Sequence, residues 1–374
     1  MGSLLEVIMI NQQRLVDHFV DLVKIDSESG NEKAIATELA TQLEAMNFTV
    51  HRLPVPEDLS NGFNLYARLE GTLPGSTVLS CHMDTVKPGI GIEPVIEGDI
   101  ITSAGNTILG GDDKSGISAI IEAIRSIQAD GKAHKTIEIA FTVFEEGGLR
   151  GSKVFDMSYI TSPQALVFDS GGQIGKIITQ APGQQSIKVT ITGRPAHAGL
   201  APEEGINAMV VASEAITKMK LSRIDHETTA NIGIVQGGQA TNIVMPEMYI
   251  AAEARSLNDD KLAAQTAHMI DTFEAAAKAH GAEITIDSQR AYNAFTLEDS
   301  DPLVQSVIET FESIGIEPQT ASTGGGSDAN VFTAKGLKTV NLSTGMSKVH
   351  TTEEFIKISD MVKISDFIYA YLTR

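Results

Sequence analysis

Segments of buried-strand character alternate with segments of helical period through the first 170 residues of the chain. Residues 76–81, 136–144 and 165–168 consist mostly of apolar or small residues, which is typical of strands covered on both faces. Amphipathic helices are predicted over 31–46 and 113–127, where apolar residues recur at helical spacing. Strands that alternate with helices pack as a sheet flanked by helices, so this part of the chain predicts an α/β fold with a mixed, largely parallel sheet.

The pattern changes near residue 182. Residues 186–192 alternate polar with apolar side chains, as a half-exposed strand does, and they open a strand–helix–strand–strand–helix–strand series. This series spans about 110 residues, enough for an independent α+β domain. The α/β pattern then resumes and ends in a helix predicted over 353–372. We therefore expect one domain in two parts, 1–181 and 294–374, with a second domain inserted at 182–293.

The composition narrows the function classes. The 374 residues carry 28 basic and 48 acidic side chains, a net charge of −20, so we expect no nucleic-acid partner because phosphate is repelled. No apolar run reaches the roughly 18 residues of a membrane span, and residues 1–10 do not resemble a signal peptide. The single cysteine, Cys81, forms no internal disulfide, which fits a reducing cytoplasm.

His82 and Asp84 directly follow the apolar segment 76–81. Because side chains alternate along a strand, two residues that are two positions apart can point to the same face. A metal-binding histidine usually donates its other ring N–H to a carboxylate, and His-x-Asp supplies that pair. The alternative is a polar cap after a core strand, and the pair by itself would favour that alternative.

A glycine loop at 110–116, Gly-Gly-Asp-Asp-Lys-Ser-Gly, opens the helix predicted at 113–127. Gly105 and Gly110 have the spacing of the first two glycines of a phosphate-binding loop, but that loop requires lysine directly after the second glycine, and here Gly111 follows. Two aspartates at a helix start would also repel phosphate, so we reject a nucleotide site. The competing explanation for Asp112 and Asp113 is helix capping. Two carboxylates exceed what a cap needs, and one carboxylate with two oxygens could bridge two cations.

Glu145 and Glu146 stand at the end of the strand predicted at 136–144. Adjacent carboxylates repel each other unless positive charge is near, and a metal ion would supply it. One glutamate could then bind the ion while the other acts as a base toward water. A solvated charged loop is the alternative, and for an isolated Glu-Glu pair it usually holds.

Two more candidates complete a set. Asp169 follows the strand predicted at 165–168, and His350 precedes the last predicted helix. Ligand sites in open α/β sheets lie beyond the carboxyl ends of the strands, where these side chains would meet. The set suits zinc or another divalent metal, and its size suits two ions about 3.5–4 Å apart. Its members are His82, Asp112, Glu145, Glu146, Asp169 and His350.

The order His-x-Asp, Gly-x-Asp-Asp-Lys, Glu-Glu, Asp, His resembles the di-zinc exopeptidase family that contains peptidase T, glutamate carboxypeptidase, aminoacylase and succinyl-diaminopimelate desuccinylase. The resemblance covers essentially the whole chain, and within the family the chain most resembles the peptidase T-like aminotripeptidases. It implies a zinc exopeptidase-like fold, a lid or dimerisation domain at 182–293, a homodimer formed through that domain, and short peptides as substrates.

The resemblance also assigns roles to the metal ligands. It implies that His82 and Asp169 hold one zinc ion, that Glu146 and His350 hold the other, and that Asp112 bridges both. In the family, Asp84 would orient the first histidine.

Catalytic roles follow from the same resemblance. Glu145 would be the general base, which takes a proton from the metal-activated water and later passes it to the leaving amine. His197, in Gly-Arg-Pro-Ala-His-Ala-Gly at 193–199, would reach the partner subunit's active site and help to hold the oxyanion. The alternative for His197 is a polar loop residue of the inserted domain. The family also predicts a cis peptide between Asp112 and Asp113.

Substrate contacts are implied for Asn242, Arg255 and Gly325. A guanidinium can hold a terminal carboxylate by two parallel hydrogen bonds, which is the role expected of Arg255. Peptidase T has an additional acid where this chain has Phe144. Three functions remain in competition: an aminopeptidase for short peptides, a carboxypeptidase or N-acyl-amino-acid amidohydrolase with the same site, and a non-catalytic metal-binding protein.

Overall fold

The computed structural model describes residues 10–374, so the expectation for the first ten residues falls almost wholly outside it. The helices are α1 (Gln12–Val23), α2 (Lys33–Ala45), α3 (Gly111–Asp130), α4 (Arg150–Val154), α5 (Ala208–Lys218), α6 (Asp259–His280), α7 (Pro302–Ser313), α8 (Asp328–Ala334) and α9 (Ile358–Leu372). Within residues 10–374, no helix is both long and apolar enough to cross a membrane.

The strands complete the order of elements. They are β1 (Thr49–Pro54), β2 (Phe63–Leu69), β3 (Ser76–His82), β4 (Pro94–Glu97), β5 (Ile100–Ser103), β6 (Thr136–Thr142), β7 (Gln164–Ser170), β8 (Lys176–Ala181), β9 (Gly183–Thr192), β10 (Ser222–Arg223), β11 (Thr228–Gly237), β12 (Glu247–Ser256), β13 (Glu283–Tyr292), β14 (Phe295–Thr296), β15 (Gln319–Ser322), β16 (Lys338–Ser343) and β17 (Phe355–Lys357).

The chain separates into two compact units. Unit 1 contains the residues up to Thr179 together with Thr296–Ser322 and Ser327–Arg374. Unit 2 contains Gln180–Phe295 and the short stretch Thr323–Gly326. Unit 2 is therefore inserted into the sequence of unit 1.

The central sheet of unit 1 runs in the order β1-β2-β6-β3-β7-β16-β8. Strands β6, β3, β7 and β16 are parallel, with Ser80 of β3 opposite Ala140 on one side and Val167 on the other. Strands β1, β2 and β8 run antiparallel to their neighbours. The predicted mixed, largely parallel sheet is thus confirmed. Strand β16 lies between β7 and β8, although those two strands are consecutive in the chain.

Burial of apolar side chains explains why these segments form a sheet with helices on it. Every residue of β6 is buried, and so is β3 after its first residue. Helix α3 presents a stripe of isoleucines, all at most 1% exposed, and it packs against α1, α9, β3 and β7. The stripe comprises Ile117, Ile120, Ile121, Ile124 and Ile127. Removing this apolar surface from water is the main force that favours the layered arrangement.

The parallel strands bring their carboxyl ends to one edge of the sheet. His82, the last residue of β3, lies opposite Thr142, the last residue of β6. The neighbouring strand β7 ends at Ser170, directly after Asp169. Loops that leave this edge therefore carry their first side chains into a common region.

The helix predicted over 353–372 is wrong at its start, since α9 begins at Ile358. Residues Phe355–Lys357 form β17 instead, which pairs with β5 and places Ile356 opposite Ile101. Both isoleucines are fully buried, so pairing with a distant strand outweighs local helical preference. Strand β4 completes this small sheet.

Unit 2 is an antiparallel sheet in the order β10-β11-β12-β9-β13, with α5 and α6 packed together and against it. On β9, Ile187, Val189 and Ile191 alternate into the core of this unit. Strand β11 pairs with β12 along its length, but β10 covers only its first residues. Within the described part of the chain, residues 231–237 consequently have a strand partner on one side only.

Candidate metal centre

His82 is buried at the end of β3 with both ring nitrogens engaged. Its Nδ1 lies 2.9 Å from the main-chain oxygen of Asp84, and its Nε2 lies 3.0 Å from Oδ1 of Asp112. The carbonyl accepts a hydrogen bond from Nδ1–H, which leaves Nε2 free to act as a ligand. The ring therefore has the tautomer and orientation that a metal ligand requires.

The carboxylate of Asp84 holds the Glu145–Glu146 turn. It accepts hydrogen bonds from the backbone N–H of Glu145 at 2.9 Å, from that of Glu146 at 3.2 Å, and from the Ser29 hydroxyl at 2.6 Å. Its Oδ1 is 3.5 Å from Nδ1 of His82. The structure thus orients His82 chiefly through the Asp84 carbonyl, whereas the sequence-based expectation assigned that task to the carboxylate.

Asp112 stands between the two histidines at the start of α3. Its Oδ1 faces His82, and its Oδ2 lies 3.3 Å from Nε2 of His350. The peptide bond between Asp112 and Asp113 is cis, as the resemblance predicted. A carboxylate with one oxygen toward each of two potential ligands has the placement of a bridging group.

The other acidic side chains converge on the same region. Oε1 of Glu146 lies 3.0 Å from Nε2 of His350, and Oδ1 of Asp169 lies 3.9 Å from Nε2 of His82. One potential ligand atom from each of His82, Asp112 and Glu146 lies within 4.8 Å of the other two. Below, the six-residue cluster means His82, Asp112, Glu145, Glu146, Asp169 and His350.

Asp113 was not among the predicted ligands, yet it meets the same distance criterion with His82 and Asp169. Its Oδ2 accepts a hydrogen bond from the backbone N–H of His82 at 3.2 Å, and its Oδ1 is buried without a partner within residues 10–374. Asp113 therefore fixes the main chain of His82 from the neighbouring loop.

The cluster concentrates carboxylates that have little positive charge among them. Burial raises the pKa of Glu145 well above its ordinary value, and negative charge on Glu146 adds to the effect. Burial likewise raises the pKa of Asp169. Hydrogen bonds to Asp112 and Glu146 raise the pKa of His350 to about 10. The raised pKa values of Glu145 and Asp169 reflect the burial of several carboxylates close together. The imidazole and carboxylate donors of the site are those that divalent metals prefer.

Four predicted site residues belong to unit 2 and form two pairs. His197 and Asn242 are on adjoining segments, since the backbone N–H of Ala198 donates a hydrogen bond to the main-chain oxygen of Asn242 at 2.9 Å. Arg255 lies by the glycine loop that contains Gly325, with Nη1 at 3.4 Å from the Gly324 oxygen. Nε and Nη2 of Arg255 donate hydrogen bonds to the two carboxylate oxygens of Glu253, at 2.8 and 3.0 Å. This is the forked geometry that was expected for a substrate carboxylate.

The sequence profile of peptidase family M20/M25/M40 matches residues 78–374, which is most of the chain and all of the six-residue cluster. The chain belongs to peptidase family M20/M25/M40. The expected family resemblance is thereby confirmed, and the chain is an enzyme of the peptidase class.

Three relatives match the chain over nearly its whole length. A curated protein of Bacillus subtilis (strain 168), "Uncharacterized protein YqjE", is 41% identical over 97% of this chain and 99% of its own length. The crystal structure of aminopeptidase PepT from Bacillus cereus ATCC 10987 is 41% identical, with a TM-score of 0.89 and 97% and 98% coverage. A tripeptidase structure from Staphylococcus aureus subsp. aureus Mu50 is 34% identical, with a TM-score of 0.94 and 98% coverage of both chains.

Buried carboxylates that support this M20 site went unnoticed in the sequence. Glu32 is fully buried, and its Oε1 accepts hydrogen bonds from the N–H of Gly30 at 2.8 Å and of Phe144 at 3.1 Å. The carboxylate of Glu354 accepts hydrogen bonds from three backbone N–H groups where the chain enters α3. Neither glutamate stands in a motif, and apart from Gly30 the residues they bind are distant in sequence. The only local signal is the position of Glu354, four residues after His350.

Proposed function

We propose that the chain is a metal-dependent aminopeptidase that removes the N-terminal residue from short peptides, with tripeptides as its main substrates. The observation that carries this proposal is the convergence of two histidines and four carboxylates, the six-residue cluster, at the carboxyl ends of parallel strands. Similarity to chains described as aminopeptidase PepT and as a tripeptidase supports the substrate class.

The six-residue cluster fits two divalent ions, and zinc suits its mixture of imidazole and carboxylate donors. His82 and Asp169 would hold one ion, Glu146 and His350 the other, with Asp112 shared between them. The opposite orientation of the two Asp112 oxygens supports this division. When bound, such ions lower the pKa of a shared water and polarise the scissile carbonyl.

Glu145 is proposed as the general base. Its carboxyl is buried, and burial raises its pKa, which favours uptake of a proton from water and return of that proton to the leaving amine. Asp84 positions this group, because its carboxylate binds the backbone N–H of Glu145 and of Glu146. Because each amide has its own hydrogen bond to Asp84, the proposed base, Glu145, and the proposed ligand, Glu146, keep fixed positions relative to each other.

A homodimer formed through unit 2 is the proposed assembly. Ile234 and Val235 are exposed on the part of β11 that has one strand partner, and Met209 and Val210 are exposed on α5. An uncovered strand edge beside apolar side chains favours pairing with another chain, and a second copy would place two such edges side by side. In that dimer His197 would help to stabilise the oxyanion in the partner's site.

Substrate-contact roles are proposed for Asn242, Arg255 and Gly325. Asn242 adjoins His197, and Arg255 adjoins the loop of Gly325. Arg255 would bind the terminal carboxylate of the peptide after exchanging one of its bonds to Glu253. We also propose the cytoplasm as the site of action, because Cys81 is a free, buried thiol.

Hydrolysis of a small substrate panel tests the proposal. Zinc-loaded protein is given a tripeptide, the same tripeptide acetylated at its N-terminus, a dipeptide and an N-acetyl amino acid, with Glu145→Gln as the blank. We expect cleavage of the free tripeptide alone, with release of its first residue. Cleavage of the acetylated compounds would instead identify a carboxypeptidase or an amidohydrolase. No cleavage of any amide by the metal-loaded protein would refute peptidase activity.

A further inference from the structure

Glu354 connects two ligand-bearing segments that are far apart in the sequence. Its Oε2 accepts hydrogen bonds from the backbone N–H of Leu109 at 2.8 Å and of Gly110 at 2.9 Å. Its Oε1 accepts one from the N–H of Asp112 at 3.0 Å. The side chain is 2% exposed, so all three bonds are protected from water.

Glu354 supplies the hydrogen-bond acceptor that the residue before α3 does not provide, since no side chain of that residue caps the helix. Gly110, the residue before α3, adopts a left-handed conformation with φ +75° and has no side chain to cap the helix. A Cβ atom added at Gly111 would come within 3.1 Å of Oε1 of Glu354, so the loop fits closely around the carboxylate. Without Glu354, three buried N–H groups at the start of α3 would be left unpaired, and one of them belongs to Asp112.

The same glutamate lies at the base of the loop that carries His350. Ser347 and Phe355 form two backbone hydrogen bonds of 3.1 Å with each other, which close this loop. Within it, the backbone N–H of Glu354 donates to the main-chain oxygen of Thr351 at 3.2 Å. His350 lies between these anchors with a positive φ of +63°. A shift of Glu354 would therefore change the position of the His350 loop relative to Asp112.

We propose that Glu354 is a positioning residue that sets the placement of Asp112 relative to His350, and through that pair the affinity for one of two metal ions. The inference rests on the proposed metal-dependent function. It distinguishes the two ions, because His350 is assigned to only one of them. The ion assigned to His82 and Asp169 shares only Asp112 with the two segments that Glu354 holds, so its affinity should fall less when Glu354 is altered.

Cobalt titration of the metal-free protein tests this role without relying on activity. Wild type, Glu354→Gln and the control Glu138→Gln are titrated with Co²⁺ alone, and the visible absorption gives the stoichiometry and the two dissociation constants. Glu138 is a matched control, because it is also fully buried, pairs with Arg68, and accepts backbone N–H groups from Thr161 and Ser162. Melting temperatures are recorded for all three proteins.

For Glu354→Gln we expect one dissociation constant to rise at least about tenfold, as is usual when a group that orients a ligand is removed, while the other rises by a smaller factor because its ion depends on Asp112 but not on His350. Glu138→Gln should melt at a lower temperature but keep both constants. Unchanged constants in Glu354→Gln would overturn the positioning role even if its melting temperature falls. Absence of cobalt binding by wild type would overturn the metal-dependent function, and this inference with it.

Glu354→Asp provides a second variant if Glu354→Gln does not fold. Aspartate keeps the charge but is one methylene shorter, so it cannot reach all three N–H groups at once. The same unequal loss of affinity for the two ions is expected. Two constants equal to those of wild type would contradict the proposal.

Discussion

Acidification should loosen the packing of α1 against α2 and α3 through one buried histidine. His18 on α1 is 7% exposed, and its Nε2 lies 2.8 Å from Oε1 of Gln42 on α2. That oxygen also accepts a hydrogen bond from Arg125 on α3 at 3.2 Å, so Nε2 must carry the proton. The other nitrogen, Nδ1, is buried and has no partner among the described residues. The ring is therefore held in its neutral form.

The magnitude follows from the pKa of this ring. Burial, followed by the positive charge of Arg125, lowers the pKa of His18 from 6.5 to about 4. Between these values the unfolded chain binds more protons than the folded one, so stability is complete above pH 6.5 and falls as the pH drops toward 4. At 1.36 kcal/mol per pKa unit, the free energy of unfolding decreases by about 2 kcal/mol at pH 5 and about 3 kcal/mol at pH 4.

Urea unfolding of wild type and His18→Leu at pH 7 and pH 5, with chelator present throughout, measures this effect. Chelation removes any contribution from metal release, and the variant removes all other titrating groups from the comparison. Wild type should lose about 2 kcal/mol more than His18→Leu between the two pH values. In parallel, NMR of labelled histidine rings should show His18 neutral at pH 5. Equal losses in the two proteins, or a ring that titrates near pH 6.5, would refute this reasoning.

Four further outcomes are expected. Glu145→Gln should lower turnover by about 10²–10⁴-fold while the metal content, measured by emission spectrometry, is unchanged, and retained turnover would exclude Glu145 as the base. His197→Ala should be inactive alone but should regain activity when mixed with Glu145→Gln, because one site of the mixed dimer would be intact; no recovery after demonstrated subunit exchange would exclude a role across subunits. Ile234→Lys should produce a monomer in sedimentation analysis, and an unchanged dimer would place the interface elsewhere. Phe273→Ala, at a fully buried position of unit 2, should destabilise that unit by about 3–5 kcal/mol in urea, and a much smaller loss would show that its core can collapse around the gap.

Helices and strands could be predicted from local sequence patterns where their own residues show which side chains are buried. Strands β3 and β6 consist mostly of apolar or small residues and α3 has its isoleucine stripe, so period and composition alone predicted them. Strand β8 was not predicted, because it is short, mixed in composition and defined by its pairing with β16, about 160 residues later. The wrong start of the last helix has the same cause. Pairing between distant segments leaves no periodic signal in either one.

The candidate site divides in a similar way. The ends of β3, β6 and β7 could be placed together because parallel strands share an edge, so the convergence of His82, Glu146 and Asp169 could be expected from the sequence. His350 was included in the set without support from a strand end, since the loop before β17 has no pattern that places it at this edge. The hydrogen bonds that Asp84 and Glu354 accept from backbone N–H groups could not be predicted from the sequence, because they depend on the conformation of loops.

The position of β16 has a consequence for how the protein is made. During synthesis β7 and β8 emerge together, yet the place between them must stay open until unit 2 and a further 40 or so residues have left the ribosome. Until then two inner strand edges are exposed to other nascent chains. His350 lies beyond β16, so a chain that ends before residue 350 lacks one member of the six-residue cluster. Peptide hydrolysis would thus begin only after residue 350 has left the ribosome and β16 has taken its place between β7 and β8.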